Sequence, residues 1–335
     1  MTASLAPRKP FAAPIIDQLA VRVVVDSRYE RFLPKHTHDF VKIEHVGQVP
    51  RKQMTSLACE WGLSLHLESV RAGRKAQFML DFGYTPEIVL RNADIVDIDP
   101  GKIDGLILSH AHRDHFGGMN GFIMQHRARM RTDLCFYNGG EEGFREKMLG
   151  DPKDPVSWGR VDRTMLTAQS VKPCSCSEPH IIEEQAFTTG FIERNSFETV
   201  SGGSMVYEYD HFTETERRGK LMKDTHPDEH ATCYILQDRG LVVISSCGHV
   251  GLINTIKQAM HVSGVSKLHA VLGGFHLVTA PNEYIEQTIT ELEALKPDVV
   301  IPMHCSGEAF IQSLRRRMPE RVVTTNVGSR FTFGA

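Results

Sequence analysis

The segment Ser109-His110-Ala111-His112-Arg113-Asp114-His115 sets four metal-binding side chains, His110, His112, Asp114 and His115, within six positions. An apolar run, Ile103 to Ser109, precedes it and reads as a buried strand delivering His110 at its end. Alternate residues of an extended chain share a face, so His110 and His112 can grip one cation together. The chain then turns, and Asp114 and His115 can face a second. Imidazole nitrogen and carboxylate oxygen suit Zn2+ at about 2.0–2.2 Å, and Mn2+ or Fe2+ accept the same donors. One or two such ions would acidify a water and polarise an electrophile. Asp114 is therefore expected to bind metal and to orient the nucleophile or carry its proton. Gly117 and Gly118 follow, where missing side chains let backbone pack close to the site. The competing reading is a solvated histidine-rich turn.

Other histidines also end apolar runs. His249 follows Leu241 to Ser245 and is expected to complete the first ion's histidine set. His304 ends Val299 to Met303 and is assigned to the second ion. His276, after Ala270 to Gly273, is either a ligand or a catalytic acid facing substrate. His226 and His230 lie in a polar stretch, as a spare ligand, substrate contacts or loop histidines. Cys174-Ser175-Cys176 is a lone CxC with no second cysteine pair nearby, read as structural.

The elements positioning these residues follow from periodicity. Strands are expected at Ala20–Asp26, Leu63–Val70, Ala76–Asp81, Met205–Tyr209, Cys233–Asp238 and Arg321–Thr325, with Asp238-Arg239-Gly240 as a hairpin turn before Leu241. Helices are expected at Met119–Met130, Gly251–Ser263, Asn282–Leu295 and from the end of Val299–Met303 to about Met318. Ser27 to Glu60 is polar, broken by Pro34, Gly47 and Pro50, and reads as an excursion, a lid or an oligomer contact. Asp151 to His180, rich in Pro, Ser and Cys, reads as loop. Strands precede helices in both halves, which implies an α/β protein with two sheets between helices.

Composition narrows the function classes. The chain has 335 residues, formal net charge −3 and no long basic block, so recognition of a nucleic-acid backbone is not expected. Arg8 and Lys9 precede no apolar run, and nothing approaches the roughly 20 apolar residues of a membrane span. Seven scattered cysteines without framework spacing fit a reducing compartment. A cytoplasmic protein is expected, or a periplasmic one if a leader has been removed. The expected partner is a small molecule; a homodimer is an inference from the excursion alone.

The HxHxDH motif resembles the diagnostic motif of the metallo-β-lactamase superfamily. With Cys59-Glu60-Trp61-Gly62-Leu63-Ser64, Gly190 to Arg194, Ser246-Cys247-Gly248-His249-Val250-Gly251, Gly273-Gly274-Phe275-His276-Leu277 and Pro302-Met303-His304-Cys305-Ser306-Gly307, it is similar to the branch typified by dihydropterin–ribofuranosylaminobenzene-phosphate synthase. The resemblance implies a single αββα sandwich over residues 15–335, with the excursion at about 27–60. It implies that Asp81 orients a ligand histidine or supports the metal loop, that Arg194 faces an anionic substrate group, and that His230 is a substrate candidate. Cys247 lies near the position of a bridging aspartate, as a thiolate ligand or as packing. Departures are Ser246-Cys247-Gly248-His249 for Gly-Cys-Ser-His, Arg113 for an aromatic residue, and Asp228-Glu229-His230 for an acidic pair and Gln. Ala111 and the lack of a flavin domain disfavour redox chemistry. The implied activity is hydrolysis by metal-bound hydroxide on a small aromatic or heteroaromatic substrate. The alternatives are a pterin-linked C–N bond-forming synthase, a hydrolytic aromatic dehalogenase of the chlorothalonil type, and a non-catalytic metal-binding protein.

Overall fold

The structure, a computed structural model, describes residues 11–34, 36–46, 56–208 and 219–334. Arg8, Lys9, Gly47, Pro50 and Tyr209, used in the sequence reading, lie outside the described residues.

Among the described residues, two sheets, of eight and seven strands, face each other. The first has eight strands, in spatial order Lys172–Ser175, Cys135–Asn138, Gly105–Ile107, Arg74–Leu80, Ser64–Arg71, Gln18–Val25, Arg330–Phe333 and Lys42–Glu44. The second has seven: Ile181–Ile182, Ala186–Thr188, Thr232–Leu236, Gly240–Ser245, Leu268–Gly273 and Val299–Pro302, with Ile15–Ile16 beside Thr232–Leu236. Successive side chains of a strand point to opposite faces, and the packing follows that rule. Val242 and Ile244 enter the core between the sheets, whereas Leu241 and Val243 face outward onto the helices Leu252–Ser263, Asn282–Leu295 and Glu308–Arg317. In the first sheet Ile107 points inward, while Leu106 and Leu108 pack with residues of helices Pro86–Ile95 and Met119–His126. Both faces of the central strands are therefore buried, which is why they read as continuous apolar runs. The architecture is the αββα sandwich. Among the described residues no helix is long and apolar enough to cross a membrane.

Three expectations differ from what is observed. Asp151 to His180 is not loop throughout. Asp154–Gly159 pairs with Lys147–Asp151 across a turn in which Asp151 accepts from the Lys153 amide at 2.8 Å, and helix Arg163–Ala168 follows. Lys172–Ser175 runs parallel to Cys135–Asn138 at the sheet edge, where the missing N–H of Pro173 is tolerated. Half-exposed hairpins and an edge strand carry little apolar alternation, so composition misled. Lys147–Asp151 and Asp154–Gly159 join Met205–Tyr207 and Leu221–Lys223 in a third, four-stranded sheet that the two-sheet reading did not contain. Finally, Arg321–Thr325 makes only an isolated bridge, Val300 to Val322, rather than a strand. Within the excursion, Lys42–Glu44 pairs with Arg330–Phe333 at the far edge of the first sheet.

Candidate metal centre

The HxHxDH loop leaves the Gly105–Ile107 strand and is pinned against the end of Arg74–Leu80. Phe82 donates its amide to the His115 carbonyl at 2.6 Å, and Leu63 donates to that of Asp114 at 3.2 Å. The approach is close enough that a Cβ on Gly117 would fall 2.1 Å from the Tyr84 carbonyl oxygen. His110, His112, Asp114 and His115 are all buried.

Buried carboxylates, directly or through a serine, set the tautomer of three rings, and a backbone carbonyl sets that of His249. Asp81 accepts from His115 Nδ1 at 2.8 Å and from the Ser109 hydroxyl at 2.8 Å, and that hydroxyl accepts from His110 Nδ1 at 2.9 Å. His249 Nδ1 donates to the Ser201 carbonyl at 3.1 Å. His112 Nε2 donates to Ser204 Oγ at 2.9 Å, whose hydroxyl donates in turn to Asp224 at 3.3 Å. Each ring thus has one N–H committed and the other nitrogen left as a lone pair. His110, His115 and His249 leave Nε2, and His112 leaves Nδ1.

Donor atoms of these rings lie close together. Donor atoms of His112, His226 and His249 lie within 4.8 Å of one another, as do those of His110, Cys247 and His249, and those of His115, Cys247 and His304. Asp114 Oδ2 is 3.3 Å from His304 Nε2 and 3.9 Å from His115 Nε2. Among the described residues, the buried Nε2 atoms of His110, His115 and His249, both ring nitrogens of His226, Nδ1 of His304 and Asp114 Oδ1 have no hydrogen-bond partner. Buried polar atoms are ordinarily satisfied, so this concentration of orphans at one place fits a cation. The structure brings His110, His112 and His249 together on one side, and Asp114, His115 and His304 on the other. His110 and His115, with ring centroids 4.3 Å apart, join the two halves.

The electrostatics suit cation binding. Burial first, and then the neighbouring imidazoles, hold His110, His112 and His249 far below the ordinary histidine range, so their ligand forms prevail. Burial pushes Asp114 up, but His115 and His304 outweigh it and the net shift is downward. Asp81, His226, His276 and His304 all have positive φ, between 45° and 59°. This region is costly for residues other than glycine and clusters at functional sites.

Several side chains were not legible in advance. His226, allowed above as a loop histidine, is buried, stacked on His249 with centroids 4.1 Å apart and 4.9 Å from the His112 ring. Its place in the His226-Pro227-Asp228-Glu229-His230 run was the available signal. Asp228 accepts from the Ala111 amide at 2.8 Å, and Glu229 accepts from the amides of His249 and Val250 at 3.0 and 2.9 Å. Lys147, 1% exposed, lies 2.8 Å from Asp224 and 3.3 Å from Asp228. His230 is buried, with its amide on the Ser109 carbonyl at 3.1 Å. Arg194 is exposed, its guanidinium on the Thr225 carbonyl and 6.0 Å from the Phe191 ring centroid. His276 turns Nδ1 toward Cys247 Sγ at 3.4 Å, with its ring 4.0 Å from that of His249.

Aromatic side chains stand at the rim. Trp158 lies 4.8 Å from the His112 ring and donates to Tyr84 Oη at 3.2 Å. Trp61, 48% exposed, lies 5.0 Å from the His304 ring. Arg113, exposed, sits over the Tyr84 ring at 5.8 Å.

Residues 70–163 match the metallo-β-lactamase superfamily model. The fold agrees with that of Tm1679, a metal-dependent hydrolase of the β-lactamase superfamily, at TM-score 0.68 and 20% identity over 93% of this chain and 98% of that one. The chain has the metallo-β-lactamase fold. It is also 28% identical over 249 residues to a 7,8-dihydropterin-6-methyl-4-(β-D-ribofuranosyl)-aminobenzene-5′-phosphate synthase of Methanocaldococcus jannaschii, spanning 73% of this chain and 81% of that one. An uncharacterized protein of the same organism, MJ0448, is 25% identical over 215 residues, 61% of this chain and 69% of that one. Superfamily proteins generally bind metals such as zinc, in keeping with the donor set here.

Proposed function

We propose that this protein is a metal-dependent hydrolase acting on a small aromatic or heteroaromatic substrate. The observation that carries the reading is the convergence of buried imidazole donors, with the Asp114 carboxylate beside His304 and His115. His110, His112 and His249, with His226 alongside, would hold one cation; Asp114, His115 and His304 would hold another. Bound divalent ions supply an acidified water and a Lewis acid.

The chain's own groups do the rest. Asp114 keeps one carboxylate oxygen near His304 and His115 and leaves the other unpartnered, so it can orient the nucleophile and take its proton. Asp81, through Ser109 and His115, holds two rings in the tautomer that presents a lone pair. Trp61 and Trp158 stand beside opposite halves of the centre, suited to take a planar ring between them.

The test begins with elemental analysis of the purified protein, then metal-dependent turnover across esters, lactones, phosphoesters and halogenated aromatics. Asp114→Ala should abolish turnover at full metal loading; retention of wild-type turnover would refute the reading. A second reading, C–N bond formation on a pterin-type ring, is supported by the likeness to the synthase. Product analysis separates them: water is incorporated in the first, an amine in the second.

A further inference from the structure

Next to the imidazole sets lies a cluster of sulfur. Cys247 Sγ and Cys305 Sγ are 3.2 Å apart, on loops that end two different strands of the second sheet. His276 brings Nδ1 to 3.4 Å from Cys247 Sγ and directs its amide to Cys305 Sγ at 3.3 Å. Both cysteines are buried and unbridged. The three loops meet this closely because Gly274 has no side chain: a Cβ there would fall 2.8 Å from Cys305 Sγ and 2.4 Å from the Ser246 carbonyl. Donor atoms of Cys247, His276 and Cys305 lie within 4.8 Å of one another. Cys247 also belongs to the sets with His110 and His249 and with His115 and His304.

We propose that Cys247, Cys305 and His276 form a sulfur-donor metal position at the floor of the cleft, with the Cys247 thiolate shared with both imidazole sets. The inference rests on the reading that the cleft binds metal. Its ligand class is the softer divalent ions, zinc, cobalt or cadmium, because thiolate favours these over manganese or magnesium. On binding, each thiol releases one proton to solvent and no electrons move. The geometry makes His276 a ligand and not an acid facing substrate. Packing alone would explain two buried cysteines. It does not explain an imidazole nitrogen and two sulfurs converging at a place shared with two further donor sets.

The test is X-ray absorption at the zinc edge on the full chain, purified under reductant and loaded with zinc. Wild type should show sulfur scatterers at about 2.3 Å beside nitrogen and oxygen. Cobalt loading should give the thiolate-to-cobalt charge-transfer absorption, reduced in Cys305→Ser and lost in the double variant with Cys247→Ser. The wild-type spectra decide even where a variant fails to fold, because an average of more than one sulfur per zinc needs Cys305 as well as Cys247, and one or fewer overturns the inference. A nitrogen- and oxygen-only shell in metal-loaded wild type overturns this inference while leaving the hydrolase reading standing. Failure to bind any metal overturns both. Isolation of the pair as a disulfide under reductant also overturns the inference.

Discussion

Asp228 and Glu229 are neighbours in the chain, yet each holds the backbone of a different ligand loop: Asp228 takes the amide of Ala111, and Glu229 takes those of His249 and Val250. One short segment therefore registers the HxHxDH loop of the first sheet against the His249 loop of the second. Partners behind a metal site typically change its affinity about 10- to 100-fold when removed. Asp228→Asn should weaken zinc binding within that range, measured by competition with a chromophoric chelator. Glu229→Gln should do less harm, because it keeps one of two amide contacts, whereas Asp228→Asn must turn its NH2 toward either the Ala111 N–H or the Lys147 ammonium. Unchanged affinity in both would show that the loops hold their places without this segment.

Lys147 reaches the same segment from the third sheet. Burial opposes its charge, but Asp228 and Asp224 outweigh burial and raise its pKa. Lys147→Met leaves two buried carboxylates facing each other with no cation. Removing one partner from a buried ion cluster costs about 3–5 kcal/mol, so the variant's denaturant midpoint should fall sharply. Adding Asp224→Asn should restore part of the loss, a coupling that a double-mutant cycle measures. Additive losses would mean that Lys147 acts through packing alone.

Much of the centre was legible because its residues end apolar strands. His110, His249 and His304 each follow a run whose alternation or continuity marks it as buried, so their convergence could be anticipated from the order of elements. Asp81 sits at the end of such a strand too. Ser201, Ser204, Lys147 and Asp224 come from short or half-exposed segments with no periodic signal, and only the folded chain shows them behind the ligands. His226 was ambiguous for a related reason: a histidine beside a proline in a polar stretch looks solvated until the third sheet is seen to reach it.

The rim aromatics should govern substrate affinity more than chemistry. An aromatic contact contributes about 0.5–1.5 kcal/mol beyond its buried area, or roughly 2- to 12-fold in affinity. Trp158→Ala and Trp61→Ala should raise KM by that factor for a planar substrate with little change in kcat. Trp158→Phe should recover most of the Trp158 effect although it cannot donate to Tyr84. If kcat falls while KM is unmoved, Trp158 is a support for His112 and not a wall for the substrate.

His230 provides a test in the opposite direction, because its ring is buried and belongs to none of the converging donor sets. Burial lowers its pKa from 6.5 to about 4, against weaker opposition from Asp81, Asp228 and the backbone of Ala231 and Leu108. In the metal-free protein the folded ring therefore stays neutral down to about pH 4, while the unfolded chain takes up a proton near 6.5. The unfolded state binds more protons across that window, so the stability present above pH 6.5 is lost as pH falls toward 4. His230→Leu removes this contribution. Chemical denaturation of the metal-free variant should show a flatter decline from neutral to acid pH than wild type, though not a flat one, because His110, His112 and His249 are shifted the same way. With metal bound, KM and kcat should match wild type. A raised KM would return His230 to the substrate's side of the loop.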